Sequence, residues 1–145
     1  MLLNLTTIGK SSMPSAFTWD VRVYYEDTDA GGIVYYANYL KFFERARTEW
    51  LRRLGVDQHT LLREQNAMFV VKNVSAEYHA PAKLDDALKL TLSVVKIGKA
   101  SVLFLQQAWC DGRLLNTAHV KIACVDAALR PCPIPAAVAA SMASA

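Results

Sequence analysis

Residues 24–54 read YYEDTDAGGIVYYANYLKFFERARTEWLRRL, and this stretch decides the fold. In its second half Leu40, Phe43, Trp50, Leu51 and Leu54 fall on one face at helical spacing, which predicts an amphipathic helix over 38–54. Asn38 is placed to cap its start and Gly55 to stop it. With about 100° between successive residues, Arg47 lies inside the apolar stripe and Glu44 at its edge. An i,i+3 ion pair between them is the simplest expectation; contact of one of them with a ligand is the other. Upstream, Glu26–Gly32 (EDTDAGG) join acidic residues to paired glycines and read as a loop.

Working outward, strands flank the helix. Trp19–Tyr25 (WDVRVYY) alternates apolar and polar residues, as a half-buried strand does. Beyond Gly55 a short polar helix over His59–Gln65 precedes four strands: Met68–His79, Leu88–Val94, Val102–Cys110 and Leu115–Val125. Asp111-Gly112 between the last two is a hairpin signal, and Asp85-Asp86 reads as a solvated turn. The tail from Pro131 is rich in proline and alanine, with a short helix expected after Pro135. The order predicts a single α+β domain over 17–145, a long central helix against a five-stranded antiparallel sheet, behind a loose leader over 1–16. One helix covers only one sheet face, so a homodimer or larger assembly is expected.

Composition excludes several classes. Of the 145 residues 53% are hydrophobic and 20% charged, values that exclude disorder. The net charge of +3 comes from dispersed lysines and arginines, which suits a small anionic ligand and lacks the basic stripe of a nucleic-acid binder. No apolar run is long enough to span a membrane, and residues 1–10 carry no signal-peptide pattern. The three cysteines cannot all pair within the chain, which points to reduced thiols packed in a cytoplasmic protein.

The acidic loop is where chemistry is most expected. Asp27 and Asp29 lie just upstream of a helix N-terminus, whose free N–H groups could polarise a carbonyl and hold its oxyanion. A carboxylate there could act as nucleophile or as general base on a water, and Gly31 and Gly32 would let a substrate approach the backbone. The same two aspartates also suit a purely structural part as turn caps. His59, His79 and His119 are scattered over different elements without metal-ligand spacing. There is no G-x-S-x-G, no P-loop and no G-x-G-x-x-G. No metal or redox cofactor is implied.

The run Tyr24–Arg52, with its D-x-D-x-x-G-I-V-x-Y motif and E-R-A-R-T-E behind it, resembles the signature of hotdog-fold acyl-CoA thioesterases of the 4-hydroxybenzoyl-CoA thioesterase family. Within that family it is most similar to the Tol–Pal-associated acyl-CoA thioesterases of Gram-negative bacteria. The likeness continues through L-G-V-D-Q (54–58), F-V-V (69–71), Y-H-A-P-A (78–82) and V-K-I-A-C-V-D (120–126), and covers about residues 18–135.

The resemblance implies a hotdog fold, a long helix wrapped by a curved sheet. It also implies a homodimer or homotetramer with active sites at the dimer interface. Asp29 matches the motif's catalytic aspartate, ahead of Asp27 in its less constrained first position. Tyr36 matches the position whose backbone N–H polarises the thioester carbonyl; the Tol–Pal-type branch usually carries His there, and Tyr leans toward the aromatic-substrate branch. Glu44 is the fallback catalyst, since other hotdog branches use a carboxylate on the helix. The implied activity is hydrolysis of an acyl-CoA to free acid and coenzyme A, on short- to medium-chain aliphatic substrates. Alternatives are a 4-hydroxybenzoyl-CoA-type aromatic substrate, or a non-catalytic binder of acyl-CoA or acyl carrier protein. A hotdog dehydratase or hydratase needs a helix histidine, and residues 38–54 contain none. No cofactor is expected, coenzyme A being part of the substrate. Lys96, Lys99, Arg113 and Arg130 are candidates for its phosphates.

Overall fold

The computed structural model describes residues 16–145. The leader expected over 1–16 lies, but for its last residue, outside the described residues. Strand β1 (Phe17–Arg22) leads through a single 3₁₀ turn (Tyr25–Asp27) to the long helix α1 (Asn38–Arg53) and the short helix α2 (Gln58–Gln65). Strands β2 (Met68–Tyr78), β3 (Ala87–Ile97), β4 (Ser101–Cys110) and β5 (Arg113–Val125) follow, then α3 (Ala136–Ala143). The five strands form one antiparallel sheet in the order β1-β3-β4-β5-β2. The α+β architecture expected from the sequence is the one observed.

Period-2 alternation builds the sheet. On its inner face Leu88, Leu90 and Leu92 of β3, Val102, Phe104 and Ala108 of β4, and Ala118, Val120 and Ile122 of β5 are all buried. Onto them α1 lays Phe42, Phe43, Ala46, Trp50 and Leu51. The Trp50 ring meets Phe104 edge-on at 5.4 Å between centroids, joining the helix to the middle strand of the sheet. The β4–β5 hairpin turns at Asp111 and Gly112, both with positive φ (49° and 77°), the conformation of a type I′ turn.

Local contacts shift several boundaries from the sequence reading. The first strand leaves the ladder after Arg22, not Tyr25, because the Tyr24 N–H turns to the Asp27 carboxylate. Asn38 does not cap α1; Ala37 holds that place without a side-chain bond, and Asn38 is turned to Asp27. Leu40 is 42% exposed, because the buried stripe runs through Tyr39 instead, whose ring packs on Phe42 and Phe43. The Glu44–Arg47 pair does not form. Arg47 Nη1 donates to Gln106 Oε1 at 2.9 Å and Glu44 accepts from the Thr48 hydroxyl. Gln106 Nε2 donates to the Phe43 carbonyl at 3.0 Å, so the buried amide is satisfied at both ends.

All three cysteines are free, and Cys124 is buried with its Sγ 3.6 Å from that of Cys132. Burial first, then the neighbouring thiol, pushes Cys124 up to about 12. Its thiolate fraction at pH 8 is then about one in ten thousand, so alkylation at that pH should spare Cys124 until the chain is unfolded, as peptide mass spectrometry will show. Phe104→Ala leaves a cavity under α1 and should cost about 3–5 kcal/mol, read from the urea unfolding midpoint.

Candidate active site at the start of the long helix

The chain between β1 and α1 is built around Asp27. This carboxylate is 4% exposed and accepts from the Tyr24 N–H at 2.8 Å and from Asn38 Nδ2 at 2.9 Å. Its carbonyl takes the Tyr35 N–H at 3.0 Å. Asp27 is thus the more firmly held of the two aspartates. Buried and with both oxygens engaged, it is a structural group.

Asp29 is the opposite case. It sits on a small antiparallel excursion bridged at Thr28–Val34, where its N–H donates to the Ile33 carbonyl and its carbonyl accepts from Gly32. The side chain is exposed, and Oδ1 accepts from the Gly31 N–H at 2.8 Å. The glycines shape this turn, a part the sequence reading did not assign them. A Cβ on Gly31 would lie 3.2 Å from Asp29 Oδ1, and Gly32 has φ +80°.

Seven residues on, Tyr36 forms the last turn before the helix. Asn38 N donates to the Tyr35 carbonyl at 2.8 Å. Because a trans peptide sets N–H opposite C=O, this bond turns the Tyr36 N–H away from the helix. Among the described residues neither the Tyr36 nor the Ala37 N–H meets an acceptor. No acidic residue lies in the first turn of α1; the nearest carboxylate described at its start is that of Asp27, held on Asn38 Nδ2. Tyr36 and Asp29 therefore belong to one segment, an exposed carboxylate and an uncapped helix start.

Glu44 lies elsewhere, exposed on the middle of α1 beside a cleft of about 140 Å³ shared with Arg47, Phe69, Val71 and Phe104. Burial draws Arg47 below its usual value, partly offset by Glu44. The larger concavity, about 750 Å³, is lined by Asp20, Arg22, Lys89, Thr91 and Trp109 of β1, β3 and β4. The four cations proposed for phosphates are not gathered. Arg113 opens β5 at the β4–β5 hairpin, whereas Lys96, Lys99 and Arg130 lie toward the other end of the sheet. The histidines are likewise apart: His59 is exposed on α2, His119 is exposed on β5, and His79 Nε2 is 3.0 Å from Thr117 Oγ1.

Two residues at the site escaped the sequence reading, Tyr78 and Asn116. Tyr78 closes β2 and donates its hydroxyl to the Tyr36 carbonyl at 2.9 Å. Asn116 is its direct cross-strand partner on β5. The one signal was the Y-H-A-P-A run at 78–82, which carries the resemblance without revealing a role.

Comparison with known proteins decides the family. A family model described as the thioesterase-like superfamily matches residues 23–142. The chain belongs to that superfamily. The Haemophilus influenzae protein named acyl-CoA thioesterase YbgC is 52% identical over 114 residues, 79% of this chain and 84% of its own length. The acyl-CoA thioester hydrolase YbgC of Escherichia coli O6:H1 is 49% identical, over 76% of this chain and 82% of its own. Among solved structures, a probable thioesterase from Bartonella henselae superposes with a TM-score of 0.80 at 32% identity, covering 83% of this chain and 99% of that one. In this thioesterase-like chain the two aspartates call for different outcomes. Asp27→Ala strands two donors and should cost about 2 kcal/mol of stability. Asp29→Asn should stay within about 0.5 kcal/mol of wild type, both measured by chemical denaturation.

Proposed function

We propose that the protein hydrolyses acyl-CoA thioesters to free acid and coenzyme A, with Asp29 as the catalytic carboxylate. The observation that carries the reading is the presence, in one segment, of an exposed Asp29 and an uncapped helix start whose Tyr36 N–H meets no acceptor among the described residues. Its support from outside is the sequence identity to proteins named as acyl-CoA thioesterases. The substrate's carbonyl oxygen would accept from the Tyr36 N–H, so that charge developing on it is met by a fixed donor and the helix dipole. Asp29 either attacks the carbonyl carbon, giving a mixed anhydride that water then hydrolyses to the free acid, or takes a proton from the attacking water. Thiolate leaves in both cases, and coenzyme A is a product, not a resident cofactor. Glu44, on the middle of the helix, is the lesser candidate for the same part.

Short- to medium-chain aliphatic acyl groups are the proposed substrates. The exposed rings of Tyr35 and Tyr36, 4.9 Å apart between centroids, favour an aromatic acyl group as the second reading. A homodimer formed along β2, and a homotetramer beyond it, are proposed because among the described residues β2 pairs only with β5 and leaves Val71 and Val74 exposed on the sheet's margin. A cytoplasmic location and an acyl carrier protein as alternative acyl donor belong to the same reading. Among the described residues no helix is long and apolar enough to cross a membrane.

The test is free-thiol release from butyryl-, hexanoyl-, palmitoyl- and 4-hydroxybenzoyl-CoA, wild type beside Asp29→Asn. Release that falls at least tenfold in the variant, a barrier change of about 1.4 kcal/mol, is expected. A smaller loss removes Asp29 from the chemistry. No release from any member, with the esters still bound, would make the protein a binder.

A further inference from the structure

We propose that Tyr78 is a positioning residue for hydrolysis: by donating its hydroxyl to the Tyr36 carbonyl it clamps the turn that presents the Tyr36 N–H. This rests on the reading of the helix start as the carbonyl-polarising site. The Tyr36 turn has two peptide units to hold. The one before Tyr36 is held by Asn38 N on the Tyr35 carbonyl at 2.8 Å. The one after it has no backbone donor among the described residues, and the Tyr78 hydroxyl, 2.9 Å from the Tyr36 carbonyl, is its partner. The Tyr36 carbonyl shares its peptide plane with the Ala37 N–H, so the clamp fixes that unit directly and, through the junction at Tyr36 Cα, limits movement of the neighbouring unit that carries the Tyr36 N–H.

The fold supplies a rigid base for this clamp. The register of β2 against β5 sets Tyr78 opposite Asn116, and cross-strand partners lie on the same face. A register shift in the β4–β5 ladder at Ala108/Trp109 leaves Leu115 and Asn116 both fully buried, side by side. Neither Asn116 Oδ1 nor Nδ2 has a hydrogen-bond partner among the described residues. Asn116 is the cross-strand neighbour of the residue whose phenol reaches Tyr36. Burial raises the Tyr78 phenol above its ordinary value, with Tyr36 adding to the rise and the Asn116 amide opposing it. The hydroxyl therefore remains a donor across the neutral range. Tyr36 and Tyr39 box in the Tyr78 ring edge-on, at 6.2 and 5.8 Å between centroids.

Tyr78→Phe removes the hydroxyl and keeps the ring contacts. The expected result is about a tenfold fall in kcat with KM changed less than about twofold, since the lost interaction orients a transition-state donor and not the ground state. A merely structural part would move the melting temperature and KM together, whereas here the melting point should stay within about 2 °C. An activity-independent readout accompanies it: amide exchange at Tyr36 and Ala37, followed by NMR, should quicken in the variant. Unchanged kcat or unchanged exchange at both amides overturns the proposal. The underlying functional reading fails differently, by the wild type releasing no thiol or by Asp29→Asn retaining full release.

Discussion

A carboxylate withdrawn from water has to be given donors, and the Asp27 carboxylate receives two from opposite ends of the same segment, Tyr24 N–H and Asn38 Nδ2. That one group decides where β1 ends, because it draws Tyr24 off the ladder. It also decides how α1 begins, because the residue best suited to cap the helix is turned inward to serve it. With both ends tied to Asp27, the chain from Thr28 to Ala37 is left to form the exposed excursion that carries Asp29 and the Tyr36 turn. Two aspartates two residues apart thus have opposite environments, one buried and saturated, the other exposed with a single backbone donor.

The helix is held over the sheet by two kinds of contact. Apolar packing of Phe42, Phe43, Ala46, Trp50 and Leu51 on the inner face supplies most of the driving force, but that force has little direction. The Arg47–Gln106–Phe43 chain of hydrogen bonds adds direction, since a fully buried glutamine is tolerated only in a register where both its ends are met. Arg47 takes the neutral Gln106 and not Glu44 because the sheet presents that acceptor inside the cleft, while Glu44 remains solvated. At the upper end of the helix Tyr78 does the corresponding work, from the edge strand to the turn before α1.

The element order, the hairpin at Asp111-Gly112 and the inward set of β3, β4 and β5 were legible in the sequence because each rests on spacing within a few residues. Periods of 2 and 3.6 are local properties, and turn chemistry is a property of one or two residues. The family was legible for a different reason, the run of residues around the acidic loop, and it singled out Asp29 and Tyr36. Where the reading missed, at the end of β1, the helix cap, the place of Leu40 and the partner of Arg47, a contact from another element outweighed the local preference.

What the sequence determined by itself, then, is the α+β architecture, the position of the long helix and the loop on which a carboxylate could be displayed. Only the tertiary structure decided which aspartate is buried and which exposed, that Gly31 and Gly32 shape the Asp29 turn, and that Tyr78 meets a residue 42 positions away. The physical reason is that burial and hydrogen-bond partnership are set by which distant strands lie side by side. That pairing depends on the register of β2 on β5 and the irregularity in β4–β5, and neither leaves a periodic trace in the sequence.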